Sequence, residues 1–334
     1  NVWVVGDVEG EYAAIYYSSD SGMSWSRQGD ASSMPSNVLQ KVCVVQTQVV
    51  WAVGISGTVV RTVNGGTTWE DVSVPGWEEP FQGVAAVDGQ TAWVSGGSNA
   101  SGYCGLFKTI DGGIHWVRQT NGAVTNVNHL LGLAAVDADH VWGIGGHELL
   151  IYTDDGGDLW QLAYQGGADF KDGNEVYVRG SNEVYAAFDS FVQWSRDNGA
   201  TWTKHSTADY TMDISSPTGT NIWAVEDGAY GCVIRYSPDG GLTWEEQYTN
   251  SAYHFTTTME MRWREDPPAE LYVDAAGTNP VPPYDSWETA AQTIQEAVDA
   301  AVDGDWVWVT NGVYDSGTRL SPISTCMNRV VITN

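Results

Sequence analysis

The residues of this 334-residue chain that could do chemistry are mostly carboxylates in turns that follow apolar strands. Four of them could act as acid, base or nucleophile, because hydrolysis of a glycosidic bond needs two carboxyl groups about 5 to 9.5 Å apart. These four are Glu148, Asp189, Glu226 and Asp227. A wider set of eight side chains in the same turns could bind a ligand: Asp7, Glu9, His147, Glu148, Asp189, Glu226, Asp227 and Tyr230.

These carboxylates could also be close together by chance. The chain contains 42 Asp and Glu, so neighbouring carboxylates arise without any catalytic purpose. We therefore expect most of the eight side chains to lie in solvated loops, and we keep catalysis by the four carboxylates as the alternative.

The cysteines and histidines do not show the spacing of a metal site. Cys43, Cys104, Cys232 and Cys326 are far apart and form no CxxC pair, and the six histidines are dispersed. This spacing argues against zinc and favours buried, apolar cysteines over a disulfide framework. The segment 303–305 is similar to a fragment of a calcium loop but lacks the spaced oxygen ligands of a complete one. We predict no metal and no cofactor.

The charge balance excludes some partners. With 14 Lys and Arg against 42 Asp and Glu, the formal charge is −28, which is unsuited to nucleic acid or to an anionic lipid surface. The sequence has no apolar run long enough to span a membrane, so direct membrane insertion is not expected. At 42% hydrophobic residues the chain can bury a core. A neutral sugar, a divalent cation or a basic protein partner remains open.

A repeat reveals the elements that must position these residues. An octapeptide ending in Trp occurs six times, and consecutive Trp residues are 44, 47, 44, 42 and 42 positions apart. Each copy after the first follows three apolar strands, the second of which has a central aromatic residue. Four short strands in a period of this length predict one blade of a β-propeller. The six octapeptides are residues 18–25, 62–69, 109–116, 153–160, 195–202 and 237–244.

Turn chemistry explains the octapeptide without any catalytic role. Asp or Asn at its third position can accept hydrogen bonds from its own turn, and Gly at the fifth position supplies a positive φ. We expect the Trp to pack the turn onto its own blade. The residues interpreted as structural are Asp20, Gly22, Trp25, Asn64, Gly66, Trp69, Asp111, Gly113, Trp116, Asp155, Gly157, Trp160, Asp197, Gly199, Trp202, Asp239, Gly241 and Trp244.

The octapeptides resemble the Asp-box, or BNR repeat, of sialidase-like propellers over about residues 1–262. In the sequence pattern of their strands and octapeptides they resemble propellers of the photosystem II assembly-factor type more closely. The resemblance implies that the boxes lie on the face away from the ligand site, and that the turns between second and third strands share the ligand face. Asn64 replaces the usual Asp, and His115 and Leu159 replace the usual Ser or Thr.

The sialidase resemblance does not extend to the catalytic residues. Sialidases bind the substrate carboxylate with three arginines, usually carry an Arg-Ile-Pro motif, and use a Tyr and Glu pair as the nucleophile. The motif does not occur in this sequence, and the arginines that we considered lie in or beside the octapeptides. Xyloglucan-cleaving propellers that carry Asp-boxes offer a second enzymatic model, based on a carboxylate pair.

The number of blades depends on how the ring closes. The chain begins at a second strand, and residues 254–261 can supply the missing first strand. This arrangement predicts six blades. A seven-bladed ring is the alternative.

The octapeptide repeat ends before a linker at residues 263–270, and the sequence pattern is different after it. Residues 271–334 resemble the N-terminal cap and first coil of a right-handed parallel β-helix of the pectate-lyase-like class. We expect a helix from Ser286 to about Val302, capped by Asp285 or Ser286. One coil is too short to bury a solenoid core, so we expect the rest of the β-helix in a longer parent chain.

These observations favour an all-β, non-catalytic recognition or scaffold module of a larger bacterial surface or secreted protein. Its expected partner is a glycan or an extracellular protein bound by the ligand face. A glycoside hydrolase, sialidase-like or xyloglucanase-like, is the first alternative. An assembly chaperone of the photosystem II assembly-factor type is the second.

Overall fold

The computed structural model describes most of the chain in two compact units, Asn1–Met261 and Arg262–Asn334. The described residues are 2–19, 23–30, 33–98, 104–127, 129–166, 171–180, 182–207, 210–228, 231–250, 270–281, 284, 286–300, 306–310, 319–320 and 327–328. In the first unit they form one three-stranded and five four-stranded antiparallel sheets.

Each sheet of the first unit is built from consecutive strands. Sheet 1 contains β1 (Val2–Glu9), β2 (Tyr12–Ser18) and β3 (Ser26–Arg27). Sheet 2 contains β4 (Leu39–Gln46), β5 (Val49–Gly54), β6 (Val59–Thr62) and β7 (Glu70–Asp71). Sheet 3 contains β8 (Phe81–Ala86), β9 (Ala92–Ser98), β10 (Cys104–Thr109) and β11 (Val117–Arg118).

The remaining three sheets repeat this order. Sheet 4 contains β12 (Leu130–Ala135), β13 (Val141–Gly145), β14 (Leu149–Thr153) and β15 (Gln161–Gln165). Sheet 5 contains β16 (Gly173–Arg179), β17 (Glu183–Phe188), β18 (Phe191–Ser195) and β19 (Thr203–Ser206). Sheet 6 contains β20 (Tyr210–Ser215), β21 (Ile222–Gly228), β22 (Gly231–Ser237) and β23 (Glu245–Asn250). A 3-10 helix, Gly122–Asn126, lies in the link between sheets 3 and 4.

The first strand of every four-stranded sheet carries the same β-bulge. The pairing register shifts there by one residue in β4, β8, β12, β16 and β20. At Gly83 a Cβ atom would lie 2.3 Å from the Ser95 hydroxyl oxygen and 3.2 Å from the Gly132 carbonyl carbon, so a side chain here would require these neighbours to shift. The residues that follow the bulges are Lys41, Gly83, Gly132, Glu175 and Asp213.

A largely buried ion pair joins two of these bulge positions. The Lys41 ammonium group contacts the Glu175 carboxylate, although the two residues belong to sheets 2 and 5. The first strands of these two sheets therefore face each other. A buried charge of this kind is tolerated only when it is paired.

The octapeptide turns share one hydrogen-bond pattern in sheets 2 to 6. In sheet 3, Thr109 Oγ1 donates to Asp111 Oδ1 over 2.9 Å and accepts the Gly113 amide over 2.9 Å. Asp111 Oδ1 also accepts the His115 amide over 2.9 Å. The same three bonds are found in the other four turns. Asp20 and Gly22 of the first octapeptide lie outside the described residues.

These hydrogen bonds hold the turn aspartates in the charged form. The His115 amide is the main cause that lowers the pKa of Asp111 to about 2, and the side chains of His115 and Thr109 lower it further. Asp155, Asp197 and Asp239 have lowered pKa values for the same kind of reason. The carboxylates of the octapeptides therefore stabilise their own turns.

The tryptophans that end the octapeptides pack between sheets, which differs from the expected packing onto their own blade. Trp116 of sheet 3 meets Trp51 of sheet 2 edge to face. Trp202 of sheet 5 meets Trp142 of sheet 4 in the same way. These two octapeptides thus join their own sheets to the central aromatic residue of the preceding sheet. Trp25 of sheet 1 is 44% exposed.

The second unit contains a short parallel pair of strands and one helix. Strands β24 (Glu270–Val273) and β25 (Trp306–Val309) pair in parallel, and two short strands, β26 (Arg319–Leu320) and β27 (Met327–Asn328), pair antiparallel. Leu271, Val273 and Ala291 lie in its small core. The predicted closing strand at 254–261 lies outside the described residues.

The helix begins later than the sequence predicts. Helix α1 spans Ile294–Ala300, because Ala291 is held in an extended bridge to Val273. Its start is a capping box in which Thr293 Oγ1 accepts the Glu296 amide over 3.2 Å, while the Glu296 carboxylate accepts the Thr293 amide over 3.0 Å. Ser286 is therefore not the cap, and Asp285 lies outside the described residues. Among the described residues, no helix is long and apolar enough to cross a membrane.

Candidate functional site

The turns of the first unit divide between two ends of the sheets. Because neighbouring strands are antiparallel, the turns between second and third strands lie at the same end as the links from sheet to sheet. We call this end the upper face. The octapeptides and the turns between first and second strands lie at the other end, the lower face, where the Gly112 amide of one octapeptide bonds the Gln90 carbonyl of a neighbouring turn over 2.9 Å.

Asp7 and Glu9 lie within a strand, where a loop was expected. Both belong to β1. Asp7 Oδ1 accepts the amide of the next residue over 2.6 Å. Glu9 accepts the Tyr16 hydroxyl and lies 3.8 Å from the Arg27 guanidinium. Both carboxylates are exposed and contact only their own sheet in these bonds.

Glu226 and Asp227 also lie within a strand, which corrects the loop placement. Both belong to β21. Glu226 is fully buried, and its carboxylate accepts Arg235 Nε over 2.8 Å. It is therefore closed to a substrate. Tyr230 lies outside the described residues.

Asp189 lies in a turn, as expected, but its carboxylate is used in local hydrogen bonds. Its two carboxylate oxygens accept the Asp172 amide over 2.9 Å and Asn174 Nδ2 over 3.0 Å. Asn174 Nδ2 also donates to the Thr211 carbonyl over 2.9 Å. Asp189 thus ties the link before sheet 5 to the turn within that sheet.

His147 and Glu148 lie in a strained turn on the upper face. Both have left-handed backbone angles, with φ of 63° and 53°, which cost roughly 1–2 kcal/mol each for residues other than glycine. The corresponding turn of sheet 2 has Ser56 and Gly57, with φ of 56° and 68°. Sheet 2 therefore relieves the second strained position with glycine, whereas sheet 4 retains a glutamate there.

The Glu148 side chain turns inward from this position. It is buried, and its Oε2 accepts the Tyr164 hydroxyl over 3.4 Å. The Glu148 amide donates to the Lys171 carbonyl over 2.7 Å. Burial raises the pKa of Tyr164, and the Glu148 carboxylate raises it further. The backbone amide of Glu148 therefore holds the link between sheets 4 and 5, while its carboxylate contacts the outer strand of sheet 4.

His147 turns outward to a pocket. The pocket has a volume of about 280 Å³ and opens between the sheet 3 to sheet 4 link and the outer part of sheet 4. The His147 side chain is exposed at this pocket. Most of the other lining groups are aliphatic. The lining residues are Ala123, Val127, Gly146, His147, Leu149, Leu162 and Gln165.

The side chains of His129 and Asp172 lie behind the part of the pocket wall that Gly146 forms. A Cβ atom at Gly146 would lie 2.5 Å from His129 Nε2 and 3.3 Å from Asp172 Oδ1. His129 Nε2 itself lies 3.3 Å from Asp172 Oδ1. The absence of a side chain at Gly146 therefore lets this pair approach the wall. Within the described ranges, no three His, Cys, Asp or Glu side chains are grouped to hold a metal ion.

Comparison with known proteins adds evidence only at the level of fold. No protein-family profile matches the chain, and no curated protein matches it. YCF48 from Cyanidioschyzon merolae aligns with a TM-score of 0.53 at 14% identity, over 75% of this chain and 87% of that one. The GH74 enzyme of Niastella koreensis aligns with a TM-score of 0.54 at 15% identity, over 73% and 47%. The fold is a β-propeller.

The matched propellers differ in length. A GH74 xyloglucanase from Xanthomonas campestris also aligns, with a TM-score of 0.52 at 12% identity, over 74% of this chain and 47% of that enzyme. The chain thus spans about half the length of the two GH74 enzymes. At these identities the likeness shows the propeller fold and does not transfer a site.

The propeller pocket includes residues that the sequence did not single out. His147 was predicted, but Leu162 comes from an outer strand, and Val127 comes from the link between two sheets. The sequence gives only a weak indication that Leu162 and Val127 belong to a site. Leu162 stands at an exposed position of a short outer strand, and the octapeptide spacing that precedes it, from Trp116 to Trp160, is an ordinary 44 residues.

Proposed function

We propose that the propeller is a non-catalytic recognition module of an extracellular or cell-surface protein, and that its upper face binds a protein partner. The observation that carries this proposal is the structural use of three of the four carboxylates that were expected to be catalytic. Glu226 is buried against Arg235, and Glu148 is buried against Tyr164. Asp189 is held by the Asp172 amide and the Asn174 side chain.

The arginines of the propeller do not favour a sialidase. Five of the six donate to main-chain carbonyl groups, and Arg235 is paired with Glu226. They are therefore spread over the sheets instead of converging on one carboxylate. The five are Arg27, Arg61, Arg118, Arg179 and Arg196.

The tyrosine beside Glu148 also disfavours nucleophilic catalysis. Tyr164 and Glu148 form the type of pair that sialidases use as a nucleophile. The Glu148 carboxylate, which would have to act as the base, is buried and accepts the Tyr164 hydroxyl over 3.4 Å, a long hydrogen bond. We interpret the pair as a structural contact.

Pocket chemistry favours a protein ligand over a glycan. Among the described residues, no Phe, Trp or Tyr side chain lines the pocket, whereas the most prominent aromatic residues of the propeller are used between sheets. Six of the 17 tryptophans end octapeptides, and five more stand at the centre of second strands. Most of these eleven side chains are unable to form a sugar platform, because they are packed inside the unit.

The enzymatic alternative rests on the structural likeness to the two GH74 propellers. It is tested by incubating the purified chain with xyloglucan and with sialyl-lactose and measuring the released sugars. We expect no turnover. Release of sugar that is abolished by Asp227→Asn or Asp189→Asn would overturn the proposal. The likeness to YCF48 leaves an assembly role as a further alternative, for which the fold is the only support.

The recognition role is tested directly with two sets of ligands. The purified chain is exposed to a phage-displayed library of random linear peptides and to a panel of immobilised polysaccharides that includes xyloglucan. We expect enrichment of peptides and no retention on the polysaccharides. Failure of both sets would contradict the recognition proposal, and retention on a polysaccharide alone would replace the protein partner by a glycan.

A further inference from the structure

We propose, on the basis of the recognition function above, that the pocket between sheets 3 and 4 holds one aliphatic side chain of a linear protein segment, with a basic residue beside it, and that His147 determines this specificity. The structure offers three independent observations for this assignment. They are the backbone strain at the turn, the chemistry of the lining and the charge around the rim.

The backbone strain indicates that the side chains of the turn are retained for a purpose. His147 and Glu148 both have positive φ angles, and the same turn in sheet 2 has glycine at the second position. Strained residues of this kind concentrate at ligand sites. Glu148 fixes the turn to the following link, so His147 is presented at the pocket on a rigid support.

The lining sets the size and polarity of the ligand group. A volume of about 280 Å³ lies near the lower end of ligand pockets, which span roughly 300–1,000 Å³. One or two side chains fill such a space. Leu149, Leu162 and Val127 provide aliphatic walls. His147 and Gln165 supply hydrogen-bonding groups that suit the main chain on either side of an anchoring side chain.

The charge around the pocket favours a cation beside the anchor. The Asp172 carboxylate lies behind Gly146, and its side chain is 41% exposed. Lys171, the basic residue of the adjacent link, is turned to Ser190 with its Nζ 2.6 Å from the hydroxyl oxygen. The whole chain carries a formal charge of −28. An approaching basic segment is therefore attracted, whereas an acidic one is repelled.

The position of the site is tested with a matched pair of substitutions in sheet 4. Leu162 and Leu159 are similarly exposed, at 53% and 48%, but Leu162 lines the pocket and Leu159 belongs to the octapeptide on the lower face. We expect Leu162→Glu to weaken binding of the library-selected peptides at least about tenfold. Leu159→Glu should leave binding unchanged.

The role of the strained turn is tested with a second matched pair. His147→Gly relieves the left-handed conformation and should leave the melting temperature unchanged or raised. We expect it nevertheless to weaken peptide binding about tenfold. Ser56→Gly makes the same backbone change on the upper face of sheet 2 and should not affect binding. The melting temperatures of all four variants identify any loss that arises from misfolding.

The outcomes separate this inference from the recognition function. Selected peptides that lack an aliphatic residue next to Lys or Arg would overturn the ligand chemistry. Selected peptides that bind Leu162→Glu as tightly as the wild type would overturn the site, while leaving the recognition function standing. Equal binding by wild type and His147→Gly would overturn the role of His147. Recovery of no peptide at all would contradict both proposals.

Discussion

Trp51 and Trp116 meet edge to face, with ring centroids 6.3 Å apart and an interplanar angle of 81°. Trp51 stands at the centre of the second strand of sheet 2, and Trp116 ends the octapeptide of sheet 3. Trp116 Nε1 also donates to the Val72 carbonyl of sheet 2 over 2.8 Å. The octapeptide is therefore a joint between neighbouring sheets as well as a turn within one.

Removal of this joint should destabilise the propeller. We expect Trp116→Ala to lower the free energy of unfolding by about 2–4 kcal/mol, because it removes aromatic contact area and leaves a gap between two sheets. The measurement is equilibrium unfolding in denaturant. Trp25→Ala is the control at the same octapeptide position of sheet 1, where the side chain is 44% exposed. An equal loss for both variants would contradict the inter-sheet role.

The buried pair Lys41 and Glu175 gives a second prediction. Lys41→Met should lower the free energy of unfolding by about 3–5 kcal/mol, since it leaves the Glu175 carboxylate buried without this cation. The double variant Lys41→Met with Glu175→Met should recover most of that loss. Equilibrium unfolding of the wild type, both single variants and the double variant provides the test. Strict additivity of the two single losses would show that the pair is not coupled.

Acid should weaken the octapeptide turns. The folded-state pKa of Asp111 is about 2, below its ordinary value of 3.8. Its contribution to stability is therefore complete above about pH 4 and is lost as the pH falls from there to about 2. Asp111→Asn keeps a carbonyl acceptor, as Asn64 does in sheet 2, and should flatten this part of the profile.

The measurement is the free energy of unfolding at a series of pH values on either side of this window. Because Asp155, Asp197 and Asp239 also have lowered pKa values, the single variant should reduce the acid dependence without abolishing it. A profile identical to that of the wild type would show that Asp111 is not linked to folding.

The thiol of Cys104 should be inert in the folded protein. Burial raises its pKa to about 11, so the reactive thiolate is scarce near neutral pH. Cys43 is also a buried thiol. In a chain with Cys232→Ser and Cys326→Ser, we expect a thiol reagent to label neither remaining cysteine until denaturant is added. Rapid labelling of the native chain would contradict the burial of these two side chains.

Particular residues show which features of the fold and of the site could be predicted from the sequence. The spacing of Trp69, Trp116 and Trp160 was enough to predict four strands per repeat, because each turn needs the same local hydrogen bonds. The placement of Glu226 failed, since a carboxylate near the end of a strand can equally turn outward or pair with Arg235 inside the sheet. Helix α1 was started too early because the extended bridge of Ala291 to Val273 depends on a distant strand.

The sequence by itself determined the elements whose stabilising contacts are local: the octapeptide turns, the strands that flank them and the excess of acidic residues. Tertiary structure alone decided which side chains face a ligand. The pocket joins His147 from a turn, Leu162 from an outer strand and Val127 from an inter-sheet link. No periodicity relates these three positions. They meet because neighbouring sheets pack through the aromatic residues between them, and the packing geometry fixes which turns and links lie side by side.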